Sequence, residues 1–337
     1  MTATGVAGLW GLGRARVYFS SNEVKEANAS ALSVSESEQG LSPIPALGLF
    51  EGVADDVLLA PLRIGAISSV KFNRGGSSIS LRVDFDNGSR AAFKPEQINT
   101  QTVPRREVAA YRVNRMLGLA TVAPAIGRTF SAANLLAKLR EDSLVFAPRI
   151  REEMITRGDR VLGELSWWIP EIKIARIGRY EIDSNDGVIT WTRYLTIGTP
   201  IPQDERHLLE QLSRLVLFDF IIDNVDRWSG RNVFVSPNGR RLYSMDNTLS
   251  FRIKPTGSTR TRAYLYKVQR VSRSLVSAIE GLTRERVVAE LTRNRGSFGE
   301  LLTTDEITAM LGRRDFVLDY ISQLISDHSR SAVMVFP

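Results

Sequence analysis

The stretch Phe218-Asp-Phe-Ile-Ile-Asp-Asn-Val-Asp-Arg-Trp-Ser-Gly-Arg-Asn-Val-Phe234 decides how the rest of the chain is read. It opens as the end of a helix predicted over 205–222. There Leu208, Leu209, Leu212, Leu215 and Val216 recur at helical spacing, and the last turns are apolar on every side. Asp223, Asn224, Asp226 and Asn232 follow in a short loop, and the chain then resumes as a strand. Acid, base and amide groups packed so closely behind a buried helix are costly unless they pair or bind something. A carboxylate at Asp226 can accept the proton of an attacking hydroxyl, and an amide oxygen at Asn232 can bind a metal ion. A polar turn closed by Asx hydrogen bonds is the plainer alternative.

Downstream, a hairpin is predicted from Asn232–Val235, the turn Pro237-Asn-Gly239 and Leu242–Met245. It ends at Asp246, about 20 residues after Asp226, where a hard oxygen ligand suits a divalent cation shared with phosphates. Upstream, a strand over 64–72 leads through Asn73-Arg-Gly-Gly-Ser-Ser78, whose Gly75 and Gly76 allow close approach of a phosphate. Ile79-Ser-Leu-Arg-Val-Asp-Phe85 alternates at period two, and Asp86-Asn-Gly88 signals a type I′ hairpin turn. The return strand Arg90-Ala-Ala-Phe-Lys94 stops at Pro95, and a helix is predicted over 105–117 with Glu107 in its first turn. An ammonium at Lys94 can hold nucleotide phosphates while Glu107 orients it or a metal. A lysine at a strand end and a glutamate at a helix N-terminus are also favourable without any function.

Further strands are predicted over 121–129 and 162–169, and helices over 272–281, 283–293, 304–312 and 314–327. The fold class expected is α+β and two-lobed, with a strand-rich first half and a mostly helical second half. The order of glycine turn, strand lysine, helix glutamate, loop aspartate and strand-end aspartate points to nucleotide-dependent phosphoryl transfer.

Composition narrows the alternatives. The 337 residues are 43% hydrophobic and 24% charged, ordinary for a globular chain. No apolar run approaches the about 18 residues of a membrane span. The absence of cysteine excludes disulfides, thiolate metal sites and a cysteine nucleophile. The two histidines, His207 and His328, read as surface helix residues. A net charge of +7 comes from scattered arginines with no run of five bases, so nucleic-acid binding has only charge in its favour.

The chain resembles the four-jointed and Golgi casein kinase family of atypical kinases, including its bacterial relatives. The matching segments begin with Gly75-Gly-Ser-Ser-Ile-Ser-Leu-Arg-Val83, Asp86 to Pro95 and Arg106-Glu-Val-Ala-Ala-Tyr-Arg-Val-Asn-Arg-Met-Leu-Gly118. They continue with Val122 to Gly127, Gly163-Glu-Leu-Ser-Trp-Trp-Ile-Pro170, Phe218 to Arg227, Met245-Asp-Asn247 and Arg313 to Ile321. The resemblance spans about residues 62–335. It implies an ATP-dependent kinase using Mg²⁺ or Mn²⁺ and a protein or sugar hydroxyl as acceptor. Lys94 would contact the phosphates, Glu107 would pair with it or help bind the metal, and Asp226 would be catalytic. Asp246 would bind the metal, and Gly163 to Trp168, including Ser166, Trp167 and Trp168, would border the adenine pocket. For the two tryptophans core packing is the alternative. Three features depart from the family. Trp228 and Ser229 stand where secreted members carry histidines, and Asn232 lies six residues after Asp226 rather than five. Cysteines, disulfide-bonded in the secreted relatives, are absent. A pseudokinase or nucleotide-binding module without turnover is the second reading.

Domain organisation is expected as an N-terminal extension over 1–50, an N-lobe over 51–165 and a C-lobe over 166–337. The opening Met1 to Leu12 lacks the basic start of a signal peptide, so a cytoplasmic location is expected.

Overall fold

The computed structural model describes residues 48–337 apart from Arg231 and Asn294. The expected extension over 1–50 and the reading of Met1 to Leu12 therefore lie almost wholly outside the described residues.

The strand-rich half is one antiparallel sheet of five strands. A short hairpin, β1 (Leu49–Phe50) and β2 (Val53–Ala54), leads into helix α1 (Asp55–Ile64). The sheet then takes β3 (Ile67–Phe72), β4 (Leu81–Phe85) and β5 (Arg90–Pro95). Helix α2 (Pro104–Met116) intervenes before β6 (Ala125–Ser131), α3 (Ala132–Ala137), α4 (Ala147–Glu153) and β7 (Arg160–Trp167). Spatial order is β3-β4-β5-β7-β6, so β7 returns between β5 and β6 and brings Glu164 opposite Lys94. Both α1 and α2 pack against β6 and β7.

Two expectations change here. The residues just before the predicted strand are helical: Leu58, Leu59 and Leu62 bury at helical spacing, and Pro61 sits inside α1. The predicted strand over 64–72 accordingly begins at Ile67. The Asp86–Gly88 turn is not type I′, because only Gly88 has positive φ, at 80°. Gly88 donates to the Phe85 carbonyl at 3.1 Å, and Phe85 donates to Ser89 at 2.9 Å. That is a turn closed by a left-handed glycine, a common alternative for hairpins.

The second half is mostly helical. It holds the short strands β8 (Lys173–Ile174), β9 (Arg176–Ile177) and β10 (Tyr180–Glu181), then α5 (Asn185–Leu195) and α6 (Arg206–Ile222). Hairpin β11 (Val233–Val235) and β12 (Leu242–Ser244) joins β8 in a three-stranded sheet. Helices α7 (Thr259–Leu265), α8 (Arg273–Glu280), α9 (Arg284–Thr292), α10 (Thr304–Asp327) and α11 (Arg330–Val333) complete the described chain. The two helices predicted over 304–312 and 314–327 are one. Gly312 does not end it; a side chain there would meet Pro255 at 2.8 Å, so the glycine permits a close approach. His207 is exposed on α6, and exposed His328 follows the end of α10.

Helix α6 is the centre of this half, packed by α5, α7, α10 and β12. Leu215 to Ile222 are all buried, as the apolar run requires. Each large aliphatic or aromatic side chain so buried contributes about 1.5–3 kcal/mol. This anchoring fixes where the polar loop after Ile222 begins.

Candidate active site

Lys94 owes its position to strand alternation. Ala91, Phe93 and Pro95 are buried in the core, and Lys94 projects on the opposite side of β5. Its ammonium reaches Asp246 Oδ2 at 2.5 Å, and its side chain is only 12% exposed. Burial disfavours this ammonium, but Asp246, Glu107 and Glu164 outweigh burial and hold its pKa above the ordinary value.

Glu107 lies in the first turn of α2 and is buried. It accepts the Asn247 backbone N–H at 2.5 Å and the Asn247 side-chain amide at 2.8 Å. Its carboxyl is pushed up by burial and by Asp246, against the opposing pull of Lys94. Asp246 follows β12 in the left-handed region, at φ 56°, and accepts the Thr248 hydroxyl at 2.7 Å. Burial works against its carboxylate, yet Lys94 keeps it below the usual range.

The helix-to-loop junction supplies Asp226. Asp223 ends α6 in the left-handed region and accepts the Ser258 N–H at 2.9 Å and the Thr261 hydroxyl at 2.6 Å. The Asp226 N–H donates to Asn224 at 3.0 Å. Its half-buried carboxylate accepts the Ser229 hydroxyl at 2.6 Å and the Asn232 amide at 3.3 Å. Asn232, predicted as a metal ligand, thus has its side chain against Asp226, while its carbonyl accepts the Met245 N–H at 3.0 Å. The extra residue of the loop still brings this amide to Asp226.

Arg227 ties these parts together. Fully buried, its guanidinium donates to both Asp219 oxygens at 3.1 Å, to the Asn232 carbonyl at 3.0 Å, and to the Met245 carbonyl and the Asn247 side chain. Burial pushes the Asp219 carboxyl up to about 6 even beside Arg227. Asn247 therefore receives Arg227 from the Asp226 loop and donates to Glu107 from α2. Arg227→Met, which leaves Asp219 as an unpaired buried carboxylate, is expected to cost about 3–5 kcal/mol. Chemical denaturation of the variant beside wild type measures it; a loss below about 1 kcal/mol contradicts the bridging role.

The sequence reading missed Glu164. It is 2% exposed on β7, in register with Lys94, and accepts the Ser166 hydroxyl at 2.7 Å. Burial and Glu107 push its carboxyl well above the ordinary value. A carboxylate between Gly163 and Leu165 is the weak signal the sequence offers, since a buried one is expensive unless it faces a cation or a ligand. Ser166 reaches the site only through Glu164. Trp167 is partly buried against the hydrophobic core, and the Trp168 ring lies 5.9 Å from the Arg82 guanidinium. Gly75 and Gly76 are exposed in the β3–β4 turn.

Glu107, Glu164 and Asp246 gather three carboxyl groups about one lysine in a largely buried cluster. No closed cage of three or more acidic or histidine ligands exists among the described residues. Glu107 and Asp246 fit a divalent cation that takes its remaining ligands from phosphate oxygens and water.

No protein-family model matches the chain. Over 239 residues it is 20% identical to the extracellular serine/threonine protein kinase FAM20C of Homo sapiens, covering 59% of this chain and 41% of that protein. The chain thus spans about two fifths of that relative's length. A solved Golgi casein kinase with Mn/ADP bound superposes with a TM-score of 0.64 at 17% identity, over 83% of this chain and 78% of that one. A hydra Fam20 solved with sugar gives 0.63 at 17% identity, over 82% and 90%. The two-lobed kinase-like fold is common to this chain and these solved structures.

Proposed function

We propose that the protein is an ATP-dependent phosphotransferase that moves the γ-phosphoryl group to a hydroxyl of a protein or sugar acceptor. The observation carrying this reading is the buried Lys94–Asp246 pair, with Glu107 joined through Asn247 and Arg227 to the loop that presents Asp226. Its relatives support the ligand classes, since one is described with Mn/ADP and another with sugar.

Bound Mg²⁺ or Mn²⁺ supplies charge neutralisation for the phosphates, held by Asp246 and Glu107. Lys94 exchanges its pairing with Asp246 for the nucleotide phosphates. Asp226, held by Ser229 and Asn232, takes the acceptor proton as the hydroxyl oxygen bonds to the γ-phosphorus and the bond to ADP breaks. Arg227 keeps the loop and the Asp246 strand in register throughout.

Lys94→Met tests the reading. A charge-assisted hydrogen bond contributes about 1.5–3 kcal/mol, so ATP affinity should fall about ten- to hundredfold. Lys94 is largely buried and paired with Asp246. The variant should therefore also melt lower, because Asp246 and Glu107 lose their cation. Titration calorimetry with ATP and Mn²⁺ on folded variant gives the answer; unchanged affinity overturns the assignment.

A further inference from the structure

Glu107 directly follows two arginines, Arg105 and Arg106, and both guanidiniums converge on one distant carboxylate. Arg105 donates to Glu306 Oε2 at 2.7 Å and to Oε1 at 3.0 Å. Arg106 donates twice to Oε1, at 3.0 and 2.7 Å. Arg105 also reaches the Leu301 carbonyl at 2.6 Å. Glu306 is 2% exposed and belongs to the capping box of α10, where its Oε2 accepts the Thr303 N–H at 2.8 Å. Burial works against this carboxylate, yet the two arginines keep it ionised below the usual range.

The rest of α2 is held in the same manner. Arg112 pairs with Glu290 of α9 at 3.2 Å. At the far end buried Asp55 of α1 accepts Arg115 at 2.8 Å and the Tyr111 hydroxyl at 2.9 Å. Beside it, Gly127 of β6 exchanges backbone hydrogen bonds with Arg295 and Ser297, between α9 and α10. An outward swing of α2 would strand a buried carboxylate and two guanidiniums together, which low-dielectric surroundings strongly oppose.

We propose that Glu306 is a positioning residue of the nucleotide site. By clamping Arg105 and Arg106 it holds the first turn of α2, and with it Glu107, against Asn247 and the bound metal nucleotide. This inference rests on Glu107 serving the nucleotide site.

The test compares Glu306→Gln with Thr303→Ala in the full chain. Glutamine keeps the volume and an acceptor for the Thr303 N–H but removes the charge that holds the arginines. Alanine at 303 removes the hydroxyl of the cap and leaves the clamp. Two readouts are taken where circular dichroism shows both variants folded: hydrogen exchange of the Val108 to Arg112 amides, and Mn²⁺–ADP affinity by calorimetry. Glu306→Gln should exchange faster in α2 and bind Mn²⁺–ADP at least tenfold more weakly, while Thr303→Ala stays at wild-type values in both. Wild-type exchange and affinity in Glu306→Gln, or equal losses in the two variants, overturn the proposal. If Glu306→Gln does not fold, Arg106→Gln removes one arm of the clamp and should move both readouts in the same direction. A wild type that fails to bind Mn²⁺–ADP defeats the nucleotide reading instead, and the exchange comparison still decides the clamp.

Discussion

Asp226→Asn should abolish most turnover while leaving Mn²⁺–ATP bound nearly as tightly as in wild type. Asparagine preserves the size of the side chain and an acceptor for Ser229, and it removes the anionic proton acceptor together with the 3.3 Å contact from the Asn232 amide. General-base contributions run about 10² to 10⁴ in rate, and a loss of that size is expected here. Nucleotide affinity should change little, because Lys94, Glu107 and Asp246 belong to β5, α2 and the end of β12 rather than to the Asp226 loop. If Asp226 only closed the loop, through Ser229 and Asn232, the substitution would lower stability, and affinity and rate would fall together. Steady-state ADP formation measured beside calorimetric affinity separates these outcomes. Normal turnover in the variant rules out the catalytic role.

Asp246→Asn should erase the dependence of nucleotide stabilisation on metal. Asparagine is preferred to alanine because residue 246 has φ 56°, a conformation that asparagine tolerates and alanine resists. In wild type, Mn²⁺ with ADP at 100 times its dissociation constant should stabilise the fold by about 2.7 kcal/mol. ADP without metal should give far less. The variant should show the same small effect with and without Mn²⁺, because a neutral amide oxygen is a poor ligand beside the single carboxylate left at Glu107. An undiminished metal-dependent melting shift in Asp246→Asn would place the metal elsewhere.

Much of this architecture is legible in the amino-acid order, and the exceptions have physical causes. The alternation in Ile79 to Phe85 and Arg90 to Lys94 marks both strands, and the apolar period of 205–222 marks α6. Lys94, Glu107 and Asp246 are drawn together from far apart in the chain, as their order suggests. Helix α1 is hidden because Pro61 outweighs the spacing of Leu58, Leu59 and Leu62 when propensity alone is considered. Helices α3, α5 and α7 escape notice although each opens on a capping serine, Ser131, Ser184 or Ser258, whose side chain accepts a backbone N–H. The 6 residues of α3 and the 7 of α7 give too little apolar period to read, and α5 buries only Gly187, Trp191 and Leu195. Glu164 looks like an ordinary outward residue of a strand until register sets it against Lys94. The Glu306 clamp is harder still, since Arg105 and Glu306 are 201 positions apart and nothing local to either names the other.

ADP formation from ATP in the presence of Mn²⁺ tests the central claim most directly, because it registers transfer to protein, sugar or water alike. The measurement pairs wild type with Asp226→Asn, each confirmed by calorimetry to bind Mn²⁺–ATP. Wild type is expected to form ADP at least a hundredfold faster than the variant, with the rate vanishing when Mn²⁺ is chelated. A wild type that binds Mn²⁺–ATP tightly and forms no more ADP than the variant, with acceptor proteins and sugars supplied, would contradict the phosphotransferase account and leave a nucleotide-binding pseudokinase.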